Sequence, residues 1–381
     1  MKFCFFHLMP YLRPDARIGD DTARGEEWPM PNKGFDPQLA QSLYREYIDT
    51  MVFSEQCGFD WMGANEHHFS PYGLMANCNL VGAALAYPTK TAKIAMMGNL
   101  VPLLNPVRVA EEYAMLDVMS GGRLIAGLMR GIPHEYVAYN IPPADSWSRQ
   151  KEATQLIIRA WTEPEPFGWE GEHFQFRQVS IWPRPLQKPH PPLIMSASTP
   201  ESAQFAAEVR ASMGMVLIAS LEDAKHCIQV YKDAARAAGW EPTRENVLIG
   251  QHMCVAETDE EAMRWMREGL EYFNTVLQGG PRTAQKIVLQ KTRYYADDAS
   301  RDLWAQRQQK RKGATLEDMI ERGAVLCGSP KTVIRQMKRV AGELDNGVFN
   351  ILMKVGNIPD GVVRRGMELF RDQVLPEVRD L

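Results

Sequence analysis

The chain has 381 residues, of which 45% are hydrophobic, and this can bury either one large α/β barrel or two smaller domains. Its formal net charge of −4 and its pI near 6.1 argue against a general nucleic-acid-binding protein and favour small-molecule chemistry. No apolar stretch approaches the roughly 18 residues that span a bilayer, and the six cysteines lack CxxC spacing, as expected of reduced core residues in a cytoplasmic protein.

Apolar strand-like runs alternate with helical segments along the whole chain. The first run, FCFFHL, is interpreted as a strand and not as part of a signal peptide, because it contains His7 and precedes no small-residue cleavage site. The eight predicted strands cover residues 3–8, 59–64, 94–101, 124–129, 192–197, 213–218, 247–256 and 348–354. Helical patterns follow each strand, the first four of them around residues 39–57, 74–87, 107–119 and 148–161. Eight βα units predict an α/β fold, a single (β/α)8 TIM barrel over residues 1–381, since doubly wound open sheets usually stop at about six strands.

Three segments exceed the minimal repeat. Residues 9–38 form a long Pro/Gly-rich connection after the first strand, on the side where barrel active sites lie, and are expected to wall a pocket. Residues 162–192, after the fourth helix, contain GEHFQF and are expected to form short strands. Residues 278–328 form a charged insertion before the last strand, and its length suggests a lid over the pocket, whereas its basic run RQQKRKG is expected to be a solvated helix face.

Polar residues interrupt two neighbouring apolar runs at their carboxyl ends. Gly98 and Asn99 lie within the third predicted strand, and Arg130 and Gly131 close the fourth. A strand that served packing alone would have no use for a Gly-Asn pair, because glycine weakens strands and a buried asparagine needs hydrogen-bond partners. In a barrel of parallel strands, ligands bind at these ends.

Four ordered motifs support a resemblance to a known family. They are NEHHFSPYG at residues 65–73, NPVRVAEEYAMLDVMSGGR at 105–123, MRG at 129–131 and SAST at 196–199. Together they resemble the bacterial luciferase-like family of flavin-dependent monooxygenases. The resemblance is strong over roughly the first 210 residues and continues through the barrel pattern and the CGSPKTV turn near Ser329. It implies a (β/α)8 barrel, in agreement with the count of strands.

The SAST turn follows a buried strand and precedes a helix. Ser196 and Thr199 therefore offer hydroxyls and backbone N–H groups at a helix N-terminus, which favours phosphate binding. The family resemblance places the guanidinium of Arg130 in the same site, as part of the binding site for the FMN phosphate. The alternative for each motif taken alone is an ordinary N-cap and a salt bridge at a strand end.

The resemblance also places residues 97–99 beside the isoalloxazine ring. Met97, Gly98 and Asn99 are the implied cofactor contacts, and the family often has a non-proline cis peptide here, expected between Met97 and Gly98. Asn99 would then bond to the polar edge of the ring or to the substrate. The alternative is a buried asparagine that is satisfied by neighbouring protein groups.

The adjacent histidines are expected to have different roles. On a strand they would point to opposite faces, so that metal chelation by the pair is not expected and no metal site is predicted. The resemblance implies that His67 is catalytic, as a base or hydrogen-bond donor, since imidazole titrates near neutral pH. Glu66 and His68 would support it. Phe6, Glu66, Met129 and Tyr136 are the predicted substrate-pocket residues. The aromatic surroundings, Phe6 and Tyr136 among them, favour a hydrophobic or aromatic substrate.

The activity implied by the resemblance is that of an oxygenase component. Reduced FMN, supplied by a separate NAD(P)H:flavin reductase, would react with O2 as co-substrate to form a C4a-peroxyflavin that oxidises a small organic molecule. No GxGxxG motif follows a predicted strand, which agrees with the need for a reductase. A homodimer in the cytoplasm is expected, with neither nucleic acid nor membrane as partner.

Three alternatives remain open. A deazaflavin-dependent dehydrogenase has the same fold and would transfer hydride without consuming oxygen. A hydrolase on a TIM barrel would need paired acids at strand ends, where only Glu66 is convincingly placed. A non-catalytic flavin-binding subunit is the third, and the presence of His67, Arg130 and the SAST turn together argues against it.

Overall fold

Eight parallel strands close into a barrel in the computed structural model, which describes residues 1–13, 28–295, 298, 301–302, 304–306 and 313–381. The strands, numbered in chain order, are β1 Lys2–Phe6, β2 Trp61–Ala64, β3 Lys93–Met96, β4 Leu124–Gly127, β5 Phe167–Glu170, β6 Gln175–Val179, β7 Leu193–Ser196, β8 Ser212–Met215, β9 Val247–Val255, β10 Val325–Gly328 and β11 Val348–Leu352. The ring runs β1-β2-β3-β4-β7-β8-β9-β11 and returns to β1. The predicted (β/α)8 barrel and its eight strands are confirmed.

Helices cover the outside of this ring. They span Pro37–Gln56, Cys78–Ala86, Pro106–Met119, Pro133–Ala138, Ser146–Thr162, Pro200–Glu208, Leu221–Ala237, Asp259–Tyr272, Gly279–Lys291, Leu316–Glu321, Pro330–Leu344, Asp360–Leu369 and Leu375–Val378. Side-chain caps fix where two of them begin. The Asn105 side chain accepts from two backbone N–H groups in the first turn of the helix Pro106–Met119, and the Ser220 hydroxyl accepts from the N–H of Asp223. No helix in the described ranges is long and apolar enough to cross a membrane.

Strand β9 is the longest and organises the second half of the barrel. Its nine residues pair in succession with β8, β11 and β10. Strand β10 was not predicted. Its sequence VLCG is only four residues long and overlaps the CGSPKTV motif, which is typical of a turn. It adds a strand that pairs with β9 outside the closed ring.

Two of the three long segments form structure of their own. The predicted short strands of residues 162–192 are confirmed as the antiparallel pair β5–β6. The Glu152 carboxylate anchors this hairpin by accepting from the indole N–H of Trp169 and from the N–H groups of His173 and Phe174 at 2.8–3.0 Å. In the insertion, Gly279–Lys291 and Leu316–Glu321 are helical, while the basic run at 307–312 lies outside the described residues, as do residues 14–27 of the connection after β1.

Two strand glycines have no room for a side chain. A Cβ atom on Gly127 in β4 would lie 1.7 Å from the carbonyl oxygen of Met96, and one on Gly250 in β9 would lie 1.7 Å from that of Val216. Both oxygens belong to the backbone at the carboxyl end of a neighbouring strand, β3 or β8, and cannot move independently of it. The close approach of neighbouring strands in the barrel therefore depends on these glycines.

Candidate functional site

A pocket at the carboxyl ends of β4 and β7 brings together three predicted cofactor residues. Arg130, Ser196 and Thr199 all line this pocket, whose volume is about 100 Å³. Its other lining residues are Leu128, Gly131, Ile132, Pro133, Trp147, Gln150, Met195, Ser198, Ser202, Phe205, Gln285, Tyr294 and Tyr295. The pocket therefore has one guanidinium, several hydroxyls and an aromatic wall.

A larger cavity, of about 620 Å³, lies at the opposite end of the barrel. It is lined by the amino-terminal ends of strands, with Lys2, Lys93 and Ser212 among its residues. Conserved chemistry in this fold is found at the carboxyl ends, because the loops there vary without disturbing the strands. The smaller pocket is therefore the better candidate site, despite its size.

Residue Arg130 is surrounded by three aromatic residues, two of which come from the insertion. Its guanidinium carbon lies 4.2 Å from the centroid of Tyr294, 5.6 Å from that of Tyr295 and 5.3 Å from that of Trp147. Tyr294 also donates its hydroxyl to the carbonyl of Gly131 at 2.7 Å. Burial lowers the pKa of Arg130, but the nearby tyrosine hydroxyls and Glu201 have the larger effect, so the pKa lies above its usual value. A cation so placed is fixed in orientation.

Thr199 serves as a helix cap. Its Oγ1 accepts from the N–H of Ser202 at 3.3 Å, and its own N–H donates to the Ser202 hydroxyl at 3.0 Å, ahead of the helix Pro200–Glu208. The N-cap alternative for this residue therefore holds, and it coexists with the position of Thr199 on the pocket wall. Ser196 and Ser198 are half-buried beside it.

His67 pairs with an acid that sequence analysis did not identify. Its Nδ1 lies 2.8 Å from Oε1 of Glu135, which is fully buried, while the His67 side chain is 17% exposed. The second oxygen of Glu135 accepts from the N–H of Ile132 at 3.0 Å. Burial raises the pKa of Glu135, but the His67 hydrogen bond and charge, His134 and the Ile132 N–H outweigh it and hold the pKa below its usual range. The pair is a hydrogen-bonded imidazole and carboxylate.

The prediction that His67 and His68 lie on opposite faces of a strand is wrong. Strand β2 ends at Ala64, so neither residue is in a strand, and both rings reach the segment around Pro133–Ala138. His68 Nε2 lies 3.1 Å from Glu66 Oε1, and its Nδ1 lies 3.3 Å from the hydroxyl of Tyr139. His68 is thus buried in its own polar pair.

The segment after β3 differs from the prediction in its backbone. Among the described residues the cis peptide bonds all precede prolines, so the predicted cis bond between Met97 and Gly98 is wrong. The chain turns instead at Asn99, whose φ is +51°, and the Asn99 N–H donates to Glu66 Oε2 at 3.2 Å. A Cβ on Gly98 would lie 2.7 Å from the Cys78 sulfur.

The side chain of Asn99 is engaged by the protein. Its Nδ2 donates to Oδ1 of Asn79 at 2.7 Å, and the Asn79 amide donates back at 3.1 Å and also to Glu112. The alternative of an asparagine satisfied by protein groups therefore describes this side chain. Its contact with the cofactor ring stays a prediction, as does that of Met97, which is 5% exposed.

The predicted substrate-pocket residues are all buried. A Cβ on Gly63 would lie 3.0 Å from the Phe6 ring, and Met129, just after the end of β4, pairs with Leu100 in an isolated parallel bridge. Tyr136 is fully buried and donates its hydroxyl to the carbonyl of Arg130. Tyr136 therefore supports the backbone of Arg130.

His134 is a further buried polar group at the site. It is 1% exposed, neither ring nitrogen has a hydrogen-bond partner, and the ring meets Trp28 edge-on at 4.7 Å between centroids. Burial lowers its pKa to about 4, so it is neutral near pH 7. Across the described parts of the chain, no group of three or more His, Cys, Asp or Glu side chains could hold a metal ion.

Comparison with known proteins identifies the family of this chain. The family model for luciferase-like monooxygenases matches residues 28–345. An uncharacterized protein, y4wF, of Sinorhizobium fredii is 35% identical over 47% of this chain and 54% of its own length. The oxygenase component of a flavin-dependent trigonelline monooxygenase from Acinetobacter baylyi is 26% identical over 63% of this chain and 67% of its own. The chain thus spans between half and two thirds of these relatives.

A solved structure matches the whole fold. The oxygenating constituent of 3,6-diketocamphane monooxygenase from Pseudomonas putida, a type II Baeyer-Villiger monooxygenase in complex with FMN, superposes with a TM-score of 0.73. It is 21% identical and covers 99% of this chain and 98% of its own, and at this identity it shows the fold alone. Since the family model covers most of the chain, this protein belongs to the luciferase-like monooxygenase family.

Proposed function

We propose that this protein is the oxygenase component of a two-component, FMN-dependent monooxygenase. It would take reduced FMN from a separate NAD(P)H:flavin reductase and use O2 to oxidise a small hydrophobic or aromatic molecule. The observation that carries the proposal is the pocket in which Arg130, Ser196 and Thr199 meet at the carboxyl ends of β4 and β7. The name of the trigonelline relative, an oxygenase component, supports the division into two proteins.

The pocket suits the phosphate end of FMN. Arg130 offers a fixed cation, the helix Pro200–Glu208 directs its N-terminus towards the pocket wall, and Ser196 and Ser198 add hydroxyl donors. A phosphate dianion is stabilised by both the cation and the positive end of the helix dipole. Reduced flavin supplies the reaction with oxygen when bound.

The remaining residues supply positioning, proton transfer and exclusion of water. The ring of His67 is the most exposed part of its hydrogen-bonded pair, and its Nε2 can accept or return a proton. The buried ring of Tyr72, whose centroid lies 4.4 Å from that of His67, helps to exclude water from the imidazole, and Phe6 and Met129 add buried apolar side chains to the barrel. Their character favours an apolar substrate.

We propose that a homodimer forms through a surface made by two outer helices. The helices Cys78–Ala86 and Pro106–Met119 pack together, and Leu80, Met115 and Val118 on them, with Tyr87 at the end of the first, are 47–71% exposed. Adjacent exposed apolar residues of this size are typical of subunit interfaces. All six cysteines are buried and none of them is in a disulfide, which is consistent with the proposed cytoplasmic location.

Oxygen uptake tests the reaction class. Photoreduced FMN mixed with the protein and O2 should be reoxidised with uptake of oxygen, and a panel of apolar aromatic and alicyclic compounds should include one that is converted to an oxygenated product. Reduced deazaflavin in the same assay should give no oxygen uptake and no hydride transfer. Tight binding and hydride transfer with deazaflavin, together with no productive turnover on FMN, would replace the proposal with the dehydrogenase alternative.

A further inference from the structure

The carboxylate of Glu135 is fixed on both oxygens. Oε1 lies 2.8 Å from His67 Nδ1 and Oε2 lies 3.0 Å from the backbone nitrogen of Ile132. The side chain is fully buried, and a Cβ on Gly131, whose φ is +82°, would lie 3.1 Å from Oε2. Each oxygen of the Glu135 carboxylate therefore has its own partner: Oε1 faces the His67 ring and Oε2 faces the N–H of Ile132.

This arrangement determines where the neutral imidazole carries its proton. The N–H of Ile132 has a fixed hydrogen, so Oε2 must accept from it. An ionised carboxylate has no hydrogen to donate, so His67 must donate through Nδ1 to Oε1. The other nitrogen, Nε2, is then left as an acceptor on the more exposed side of the ring.

We propose that Glu135 is a positioning residue that fixes the Nδ1-protonated tautomer of His67 and so makes Nε2 a proton acceptor in the reaction. This inference rests on the proposed function of His67. During turnover Nε2 would take a proton from the reacting group and return it before product leaves, so that the proton count of His67 is unchanged over a cycle. The imidazolium formed in between lies against the Glu135 carboxylate, which stabilises it by a charge-assisted hydrogen bond.

Other titratable groups face the pair without replacing its hydrogen bond. His134, in the same helix, interacts electrostatically with both His67 and Glu135. Tyr136, Tyr139 and Tyr294 also lie close enough to Glu135 to interact with it electrostatically. His134 is neutral at pH 7, because burial lowers its pKa to about 4, and burial raises the pKa of each tyrosine. Near neutral pH, the nearest charge to His67 is therefore Glu135.

The variant Glu135→Gln tests the inference, because an amide has only one acceptor oxygen. That oxygen must face the N–H of Ile132, so the amide NH2 faces His67 and forces its proton onto Nε2. In the protein labelled with ¹⁵N-histidine, with His67→Ala used to assign the signal, we expect an Nδ1-protonated ring in the wild type and an Nε2-protonated ring in Glu135→Gln. With photoreduced FMN and O2, conversion of the panel compound that the wild type oxygenates should slow by about 10- to 100-fold.

Two further variants separate structure from positioning. Glu135→Asp keeps both acceptors and should retain the Nδ1–H tautomer and much of the rate. Glu66 also bonds one histidine and one backbone N–H, so Glu66→Gln is a matched control that should change the His68 spectrum and leave that of His67 as it is. Circular dichroism and thermal unfolding show whether each variant folds.

An Nε2-protonated His67 in the wild type would overturn the inference, even if Glu135→Gln does not fold. So would an unchanged tautomer and rate in a folded Glu135→Gln. A normal rate in His67→Ala would instead overturn the catalytic role of His67 in the proposed function. The spectra and the rates therefore distinguish failure of the positioning role from failure of the proposed function.

Discussion

Replacing Arg130 by alanine should separate binding of FMN from binding of riboflavin. The guanidinium is the cation of the pocket that also holds Ser196 and Thr199, and only FMN carries the phosphate that it would bind. Hydrogen bonds to a charged group contribute about 1.5–3 kcal/mol. The dissociation constant for FMN should therefore rise by about 10- to 150-fold, and that for riboflavin by no more than a few-fold.

The same substitution removes a packing contact, and controls must account for it. The Arg130 guanidinium lies 4.2 Å from the ring centroid of Tyr294, a contact of about 0.5–2 kcal/mol whose loss would affect both ligands alike. Arg130→Lys keeps the charge without the planar guanidinium and should fall between wild type and alanine. Arg149→Ala is the matched control, because Arg149 also lies over an aromatic ring, that of Phe174 at 4.7 Å, and does not line the pocket.

Equilibrium fluorescence titration of oxidised FMN and of riboflavin gives the two constants, and their ratio is the quantity to compare. Added salt should reduce the wild-type preference for FMN over riboflavin, because salt screens the attraction between the Arg130 guanidinium and the FMN phosphate. Equal weakening of both ligands in Arg130→Ala, or a loss of the same size in Arg149→Ala, would refute the phosphate assignment.

Three further predictions concern turnover, packing and pH. His67→Ala should leave the FMN dissociation constant within a few-fold and slow product formation by about 10² to 10⁴ in rapid-mixing experiments, and normal turnover would contradict its role. Gly250→Ala should fail to fold, since a Cβ there would lie 1.7 Å from a backbone oxygen, whereas Gly342→Ala, on a helix with nothing within 4 Å, should raise the unfolding free energy by about 0.5–1 kcal/mol in urea titrations. Burial lowers the pKa of His134 to about 4 and that of His7 to about 3, so below pH 6.5 the unfolded chain takes up protons that the native protein does not. The unfolding free energy should then fall by up to ~1.4 kcal/mol per pH unit for each histidine, and for His134 this fall should continue down to about pH 4. If a folded His134→Phe variant shows the same dependence of unfolding free energy on pH as the wild type, the contribution of His134 is contradicted.

Much of the barrel was predictable, because its strands are buried on both faces and appear as continuous apolar runs. Strand β9, for example, is buried at all nine positions and was predicted almost to its ends. Strand β10 was missed, since its three apolar residues before a Gly-Ser-Pro turn give no periodicity to measure. Its own apolar run, VLCG, was the available signal.

Site residues that directly follow a strand could be predicted from the sequence. Site residues that come from a distant segment of the chain could not. Arg130 and Ser196 could be placed at strand ends from sequence, and the structure brings them to one pocket. Glu135 lies in a short helix whose six residues show no useful pattern, and Tyr294 lies in a charged insertion, so neither contact could be inferred from local sequence. The cis bond failed because Asn99 adopts a left-handed conformation and makes the turn instead.

The contact between Tyr294 and Gly131 joins positions that are 163 residues apart in the chain. A ligand held by Arg130 beneath that tyrosine would therefore bind only after most of the polypeptide has been synthesised and the insertion has docked. By mass action, its binding free energy would add to the stability of the docked insertion. Hydrogen exchange and limited proteolysis of the helix Gly279–Lys291 would then report ligand occupancy, although the chemistry takes place on the barrel.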